Sequence, residues 1–174
     1  MDQGLIGRVR VRGQLGFTLI EMMITVAVIA ILALVVVPQF FKESRKTKSA
    51  SEIHPMFAEI SIREEQYKVD NGAYLTAPTC PASPSSTGVA ASTCAADWAT
   101  LRINPPESTV RCSYEITVGT TAGTNNPGGF NFTSPAFDWY YILATCDMDG
   151  NSARDSTYFT SSMDSQIQKL DEGY

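Results

Sequence analysis

The chain has 174 residues, 44% hydrophobic, 10% aromatic and 18% charged, a composition that excludes a disordered or low-complexity chain and leaves room for one globular domain. Thirteen Lys and Arg against eighteen Asp and Glu give a net charge of -5, with no overall positive field to hold DNA or RNA. His54 is the single histidine, which removes His-based triads and multi-histidine metal sites and argues against an enzyme.

The first pattern is a basic stretch with Arg8, Arg10 and Arg12, followed by FTLIEMMITVAVIAILALVVV over Phe17–Val37. That run holds one ionisable side chain, Glu21, and two hydroxyls, Thr18 and Thr25. As a helix, 21 residues reach about 31 Å, close to the roughly 30 Å hydrocarbon core of a bilayer, so the segment is long enough to span. A cleavable secretory signal is shorter and ends in small residues, whereas this run continues into Pro38-Gln39-Phe40-Phe41. A plain anchor gives no reason for Glu21. A charge near the start of a span costs up to about 3 kcal/mol, which makes an intramembrane acid a functional-site expectation. Pro38 lacks a backbone donor and predicts a kink or local melting over Leu34–Pro38, and Pro55 predicts a second bend near Glu52–Pro55.

From 42 to 72 the pattern becomes amphipathic. Ile53, Phe57, Ile60, Glu64 and Tyr67 recur at three or four residues as the inner stripe, while Glu52, Glu59, Arg63 and Lys68 are expected on other faces. Asp70-Asn71-Gly72 is a stop signal, and His54 receives no chemistry.

Residues 73–110 are rich in Pro, Ser, Thr and Ala and read as a long loop, with Trp98 and Leu101 anchoring a short helical turn. Strands are predicted over 110–118, 138–147 and 154–161, giving an antiparallel sheet of three or four strands, with 119–131 as an exposed hairpin connection. Cys80, Cys94, Cys112 and Cys146 all follow the span, and none has metal-ligand spacing. They read as two disulfides in an oxidising compartment, which places this domain outside the cytoplasm, whereas the flanking basic residues nearly tie on orientation. Of the three connectivities, Cys80 with Cys94 and Cys112 with Cys146 is favoured, because the first closes a short loop and the second joins two predicted strands.

Asp147, Asp149, Asn151 and Asp155 alternate like the start of a calcium loop. Gly150 is misplaced for one and no bidentate Glu follows, so an Asp-Gly turn is the better reading, with calcium as the alternative and no other cofactor expected.

Gly16-Phe17-Thr18-Leu19-Ile20-Glu21, with the apolar run and Pro38, resembles the N-terminus of a type IV pilin or type II secretion pseudopilin. The resemblance covers residues 1 to about 75, including Asn71-Gly72-Ala73-Tyr74. It implies an α+β pilin fold, with a leader at 1–16, a membrane and filament-core helix at 17–41, an amphipathic helix at 42–72 and a disulfide-stapled β-sheet head at 73–174. It further implies cleavage between Gly16 and Phe17 by a prepilin peptidase and methylation of the new Phe17 amine. Glu21 would then neutralise the Phe17 amine of a neighbouring subunit, and the helix would unwind near Pro38 on assembly. The implied partners are copies of the same chain or other pilins, together with an inner-membrane assembly platform. The implied role is an extracellular filament for adhesion, motility or DNA uptake. A pseudopilin, a minor pilin and a membrane-anchored periplasmic binding domain remain open. From Gly72 onward, four basic residues face ten acidic ones, which disfavours direct capture of DNA.

Overall fold

The computed structural model describes residues 16–173. The leader expected at 1–16, including Arg8, Arg10 and Arg12, lies outside the described residues up to position 15. The chain divides into two units, 1–39 and 40–174, which are described separately.

A single helix, α1, runs over Leu19–Asn71. Neither Pro38 nor Pro55 interrupts it, so the melting expected over Leu34–Pro38 is corrected to continuous helix. Proline's fixed φ is itself helical, and each ring removes only one donor. The carbonyls left without that donor belong to Leu34 and Ser51, both exposed residues.

In the second unit, besides 3-10 turns at Ala91–Cys94 and Pro127–Gly129, the remaining elements are β1 (Ala77–Cys80), β2 (Val89–Ala90), α2 (Ala95–Trp98), β3 (Thr109–Val110), β4 (Cys112–Gly119), β5 (Gly123–Asn125), β6 (Phe132–Ser134), β7 (Trp139–Cys146), β8 (Ser156–Ser161) and β9 (Gln168–Leu170). The main sheet has five strands in the order β1-β4-β7-β8-β9, every pairing antiparallel. The sheet has one strand more than the three or four expected, and two of its strands lie outside the predicted segments. β1 and β9 are three or four residues long at the sheet edges, too short to show a period-2 pattern. The segment 73–110 is also more structured than a loop, because it holds β1, the β2–β3 pair and α2.

Alternation along β4 and β7 decides what lies between helix and sheet. Cys112, Tyr114 and Ile116 pair across from Cys146, Ala144 and Ile142, and all six are buried with Ile53, Met56, Phe57 and Ile60 of α1. Trp98 and Leu101 close the same core, with the Trp98 ring edge-on to Tyr114. One disulfide joins Cys112 to Cys146 directly across β4 and β7, and the other joins Cys80 at the end of β1 to Cys94.

Glu52 corrects the helix-face assignment. Its side chain is only 7% exposed and points into the head. Both carboxylate oxygens accept the Arg111 amide at 2.9 Å, and Oε1 also accepts the Cys112 amide at 2.9 Å and the Tyr114 hydroxyl at 3.0 Å. The Arg111 guanidinium stands 3.9 Å from Oε2. Three donors and a nearby cation satisfy a carboxylate that would otherwise be costly to bury.

The sheet's other face carries a second core, of Phe130, Phe132, Trp139 and Phe159 with Tyr141 and Leu143 packed against it. The 119–131 connection is thus not wholly exposed. β5 is exposed, but the connection leads into Phe130 and Phe132, which close over this aromatic face. Gly119 pairs with Trp139, and a Cβ there would fall 2.3 Å from the indole ring.

Two outcomes test this architecture. Glu52→Ala strands three donors beneath the helix and is expected to lower head stability by about 3 kcal/mol or more, with Glu52→Gln losing less, measured by denaturant unfolding of the full chain. From the 34- and 14-residue separations, the loop-entropy model expects removal of Cys112–Cys146 to cost about 4 kcal/mol and of Cys80–Cys94 about 3 kcal/mol. Serine replacement of each pair, with non-reducing peptide mapping of the parent, checks both connectivity and rank.

Candidate functional site

Gly16, Phe17 and Thr18 lie outside the helix, which begins at Leu19. A Cβ on Gly16 would meet no atom within 4 Å, so its surroundings are open. Thr18 and Glu21 form a reciprocal cap. Glu21 Oε2 accepts the Thr18 amide and the Thr18 hydroxyl at 3.3 Å each, and Thr18 Oγ1 accepts the Glu21 amide at 3.3 Å. This is the T-x-x-E capping box, in which two side chains satisfy helix-start donors that have no partner one turn earlier. The filament role that the resemblance implies for Glu21 does not include this local partner. The T-x-x-E spacing ahead of an apolar run is the signal that would have found it. The Phe17 nitrogen here is a peptide nitrogen, so the ion pair expected with Glu21 waits on cleavage.

From Phe17 to Val37 the large apolar side chains are all exposed, from 46% at Val37 to 78% at Leu19. Surface of that extent is stable only against lipid or against other apolar surface. Leu19, Met22, Met23, Val26, Ala27 and Ala30 line one shallow apolar depression, where the two alanines let another backbone come close. Pro38 lies in this unit as an exposed residue within the helix.

The other expected site residues fall in the second unit. Asp147 Oδ1 accepts the Gly150 amide at 2.6 Å, Asp149 Oδ1 accepts the Asn151 amide at 2.9 Å, and Asn151 Oδ1 accepts the Ala153 amide at 3.4 Å. Asp149 Oδ2 also pairs with Arg45 at 3.5 Å. The loop is thus a self-capped turn joining β7 to β8. Asp155 has one buried oxygen without a hydrogen-bond partner, and burial, reinforced by Asp147 and Asp149, raises its pKa. Among the described residues no group of three or more His, Cys, Asp or Glu is placed to hold a metal ion. His54 is exposed beside a groove of about 380 Å³ shared with Ser61, Glu65, Tyr140 and Ser162.

Comparison with known proteins bears on the first unit. The family model of the prokaryotic N-terminal methylation motif matches residues 11–37, which includes Gly16, Phe17, the capping box and the apolar helix. No curated protein and no solved structure matches the chain. The motif implies processing by a prepilin peptidase and assembly into pilus-like filaments, and it suggests a structural protein; with the apolar helix, it fits a membrane-anchored precursor. The chain thus bears, immediately around Gly16 and Glu21, the signature of type IV pilins and prepilin-like proteins.

Proposed function

We propose that this chain is a structural subunit of a type IV pilus. The observation that carries the reading is an apolar helical segment exposed as far as Val37, bearing one acid held at its start, shortly after the glycine of a methylation motif. The precursor resides in the inner membrane with its head on the exported side, where two disulfides form. Cleavage after Gly16 turns the Phe17 nitrogen into an amine, which is methylated and remains positive.

Assembly then exchanges one apolar solvent for another. Leaving lipid for a bundle of like helices gains little from hydrophobicity, because lipid tails are as apolar as the helix itself. Close packing supplies the attraction, and a pair between Glu21 and the Phe17 amine of a neighbouring copy supplies register. Each charge is costly alone at low dielectric, and the pair offsets that cost in only one axial position. The capping box keeps Glu21 hydrogen-bonded until the neighbour arrives. The acidic head supports adhesion or motility over direct electrostatic capture of nucleic acid.

Intact-mass and peptide spectrometry on filaments sheared from native cells tests the reading. The expected result is an abundant chain beginning at methylated Phe17 with both disulfides closed. A processed chain confined to membranes points instead to a pseudopilin or an unassembled pool, and an unprocessed chain with Met1–Gly16 intact overturns the reading. Glu21→Gln keeps the side chain's size but removes the charge, and is expected to leave processed subunit in the membrane with filaments reduced at least tenfold by immunoblot of the sheared fraction.

A further inference from the structure

Where α1 ends, three side chains tie the outgoing chain back onto it. Glu64 is fully buried, and its Oε2 accepts the Leu75 amide at 3.0 Å. Glu65 Oε1 accepts the Tyr74 hydroxyl at 2.9 Å, while the Tyr74 ring stands edge-on to Tyr140 of β7, with 4.8 Å between ring centres. Lys68 lies 4.2 Å over the Tyr74 ring and 3.9 Å from Asp138 Oδ2. Gly72, with φ of 81°, makes the turn and donates to the Lys68 carbonyl at 2.7 Å.

Glu64 differs from the other buried acid of the helix. Glu52 has donors on both oxygens, whereas Glu64 Oε1 is buried with no hydrogen-bond partner. The titratable groups facing it are Glu65 on the helix, Tyr74 on the outgoing segment and Tyr140 on β7, none of them cationic. Lys68, one turn on, is directed at Tyr74 and Asp138 instead. A carboxylate in this setting has one donor, the Leu75 amide on Oε2, while its buried Oε1 has neither a partner nor access to water. Burial pushes the Glu64 pKa up to about 7, the Leu75 amide pulling it down and Glu65 adding to the rise.

We propose that Glu64 is a proton-operated latch on the 72–76 segment: with its proton the segment stays seated on the helix, and once the proton leaves the segment lifts so that water reaches Oε1. The seated form binds the proton more tightly than an open form with the ordinary value of 4.5. The seat is therefore firmest below that value, weakens as pH climbs toward 7, and levels off beyond. Because the segment leads directly into β1, the sheet edge carrying Cys80 loosens with it.

Hydrogen exchange of the full chain in detergent micelles, normalised for intrinsic rates, reads the latch directly. Protection over 72–77 is expected to fall on the order of 50-fold between pH 5 and pH 8 in the parent. It should stay level in Glu64→Gln, and in Glu65→Gln the fall should persist but move to lower pH. Level protection in the parent, or a fall that survives in Glu64→Gln, overturns the proposal. Should Glu64→Gln lose β4 and β7 protection and prove unfolded, carbon-13 titration of the parent's Glu64 carboxyl decides: a midpoint near 7 supports the latch, and one near 4.5 overturns it.

Discussion

A carboxylate on the helix, Glu52, collects the amides of Arg111 and Cys112 and the hydroxyl of Tyr114, and in doing so fixes where the sheet begins relative to the helix. Cys112 is the first residue of β4, so the clasp sits at the origin of the strand from which register spreads to β1 on one side and β7 on the other. Burying an acid is normally a cost, and here the cost becomes selectivity. Any other seating of the strand would leave a charge and three donors without partners in the core. The Cys112–Cys146 bridge, which starts from a residue of the clasp itself, then locks β4 to β7 in that register.

The chain handles its acids according to what surrounds them. Glu21 is held by the hydroxyl and amide of Thr18 at the start of an apolar helix, and cleavage of one peptide bond would offer it a positive partner. Glu52 is satisfied by two backbone amides and the Tyr114 hydroxyl. Glu64 is buried with one oxygen unmet, which makes its environment sensitive to protons. These three carboxylates lie on one helix, and the difference among them comes from how many donors the fold brings to each.

The sheet's two faces also differ in purpose. The inner one packs on α1, while the outer one is an aromatic layer of Trp139, Tyr141 and Phe159 under Phe130 and Phe132. Sequence patterning suggests an exposed 119–131 connection and does not show that its end closes over the outer face. β7 is apolar on both faces, however, and a period-2 reading cannot say what covers the second one. Gly119 is legible only afterwards, because its lack of a side chain matters once Trp139 is known to stand opposite.

The amino-acid sequence by itself determined the membrane-length helix, its single acid, the methylation-motif string from Gly16 to Glu21, the stop at Asp70-Asn71-Gly72 and the three central strands. These rest on local spacing, composition and turn chemistry, which act over a few residues. The T-x-x-E cap was equally local and readable. Tertiary structure alone decided the inward turn of Glu52, the unmet oxygen of Glu64, the two short edge strands and the aromatic cover. Glu52's partners lie 59 to 62 residues away, and the one donor reaching Glu64, the Leu75 amide, comes from beyond the helix end. Whether a buried carboxylate is clasped or left with a free oxygen depends on which strand register brings amides to it, and register is a property of the assembled sheet rather than of any one segment.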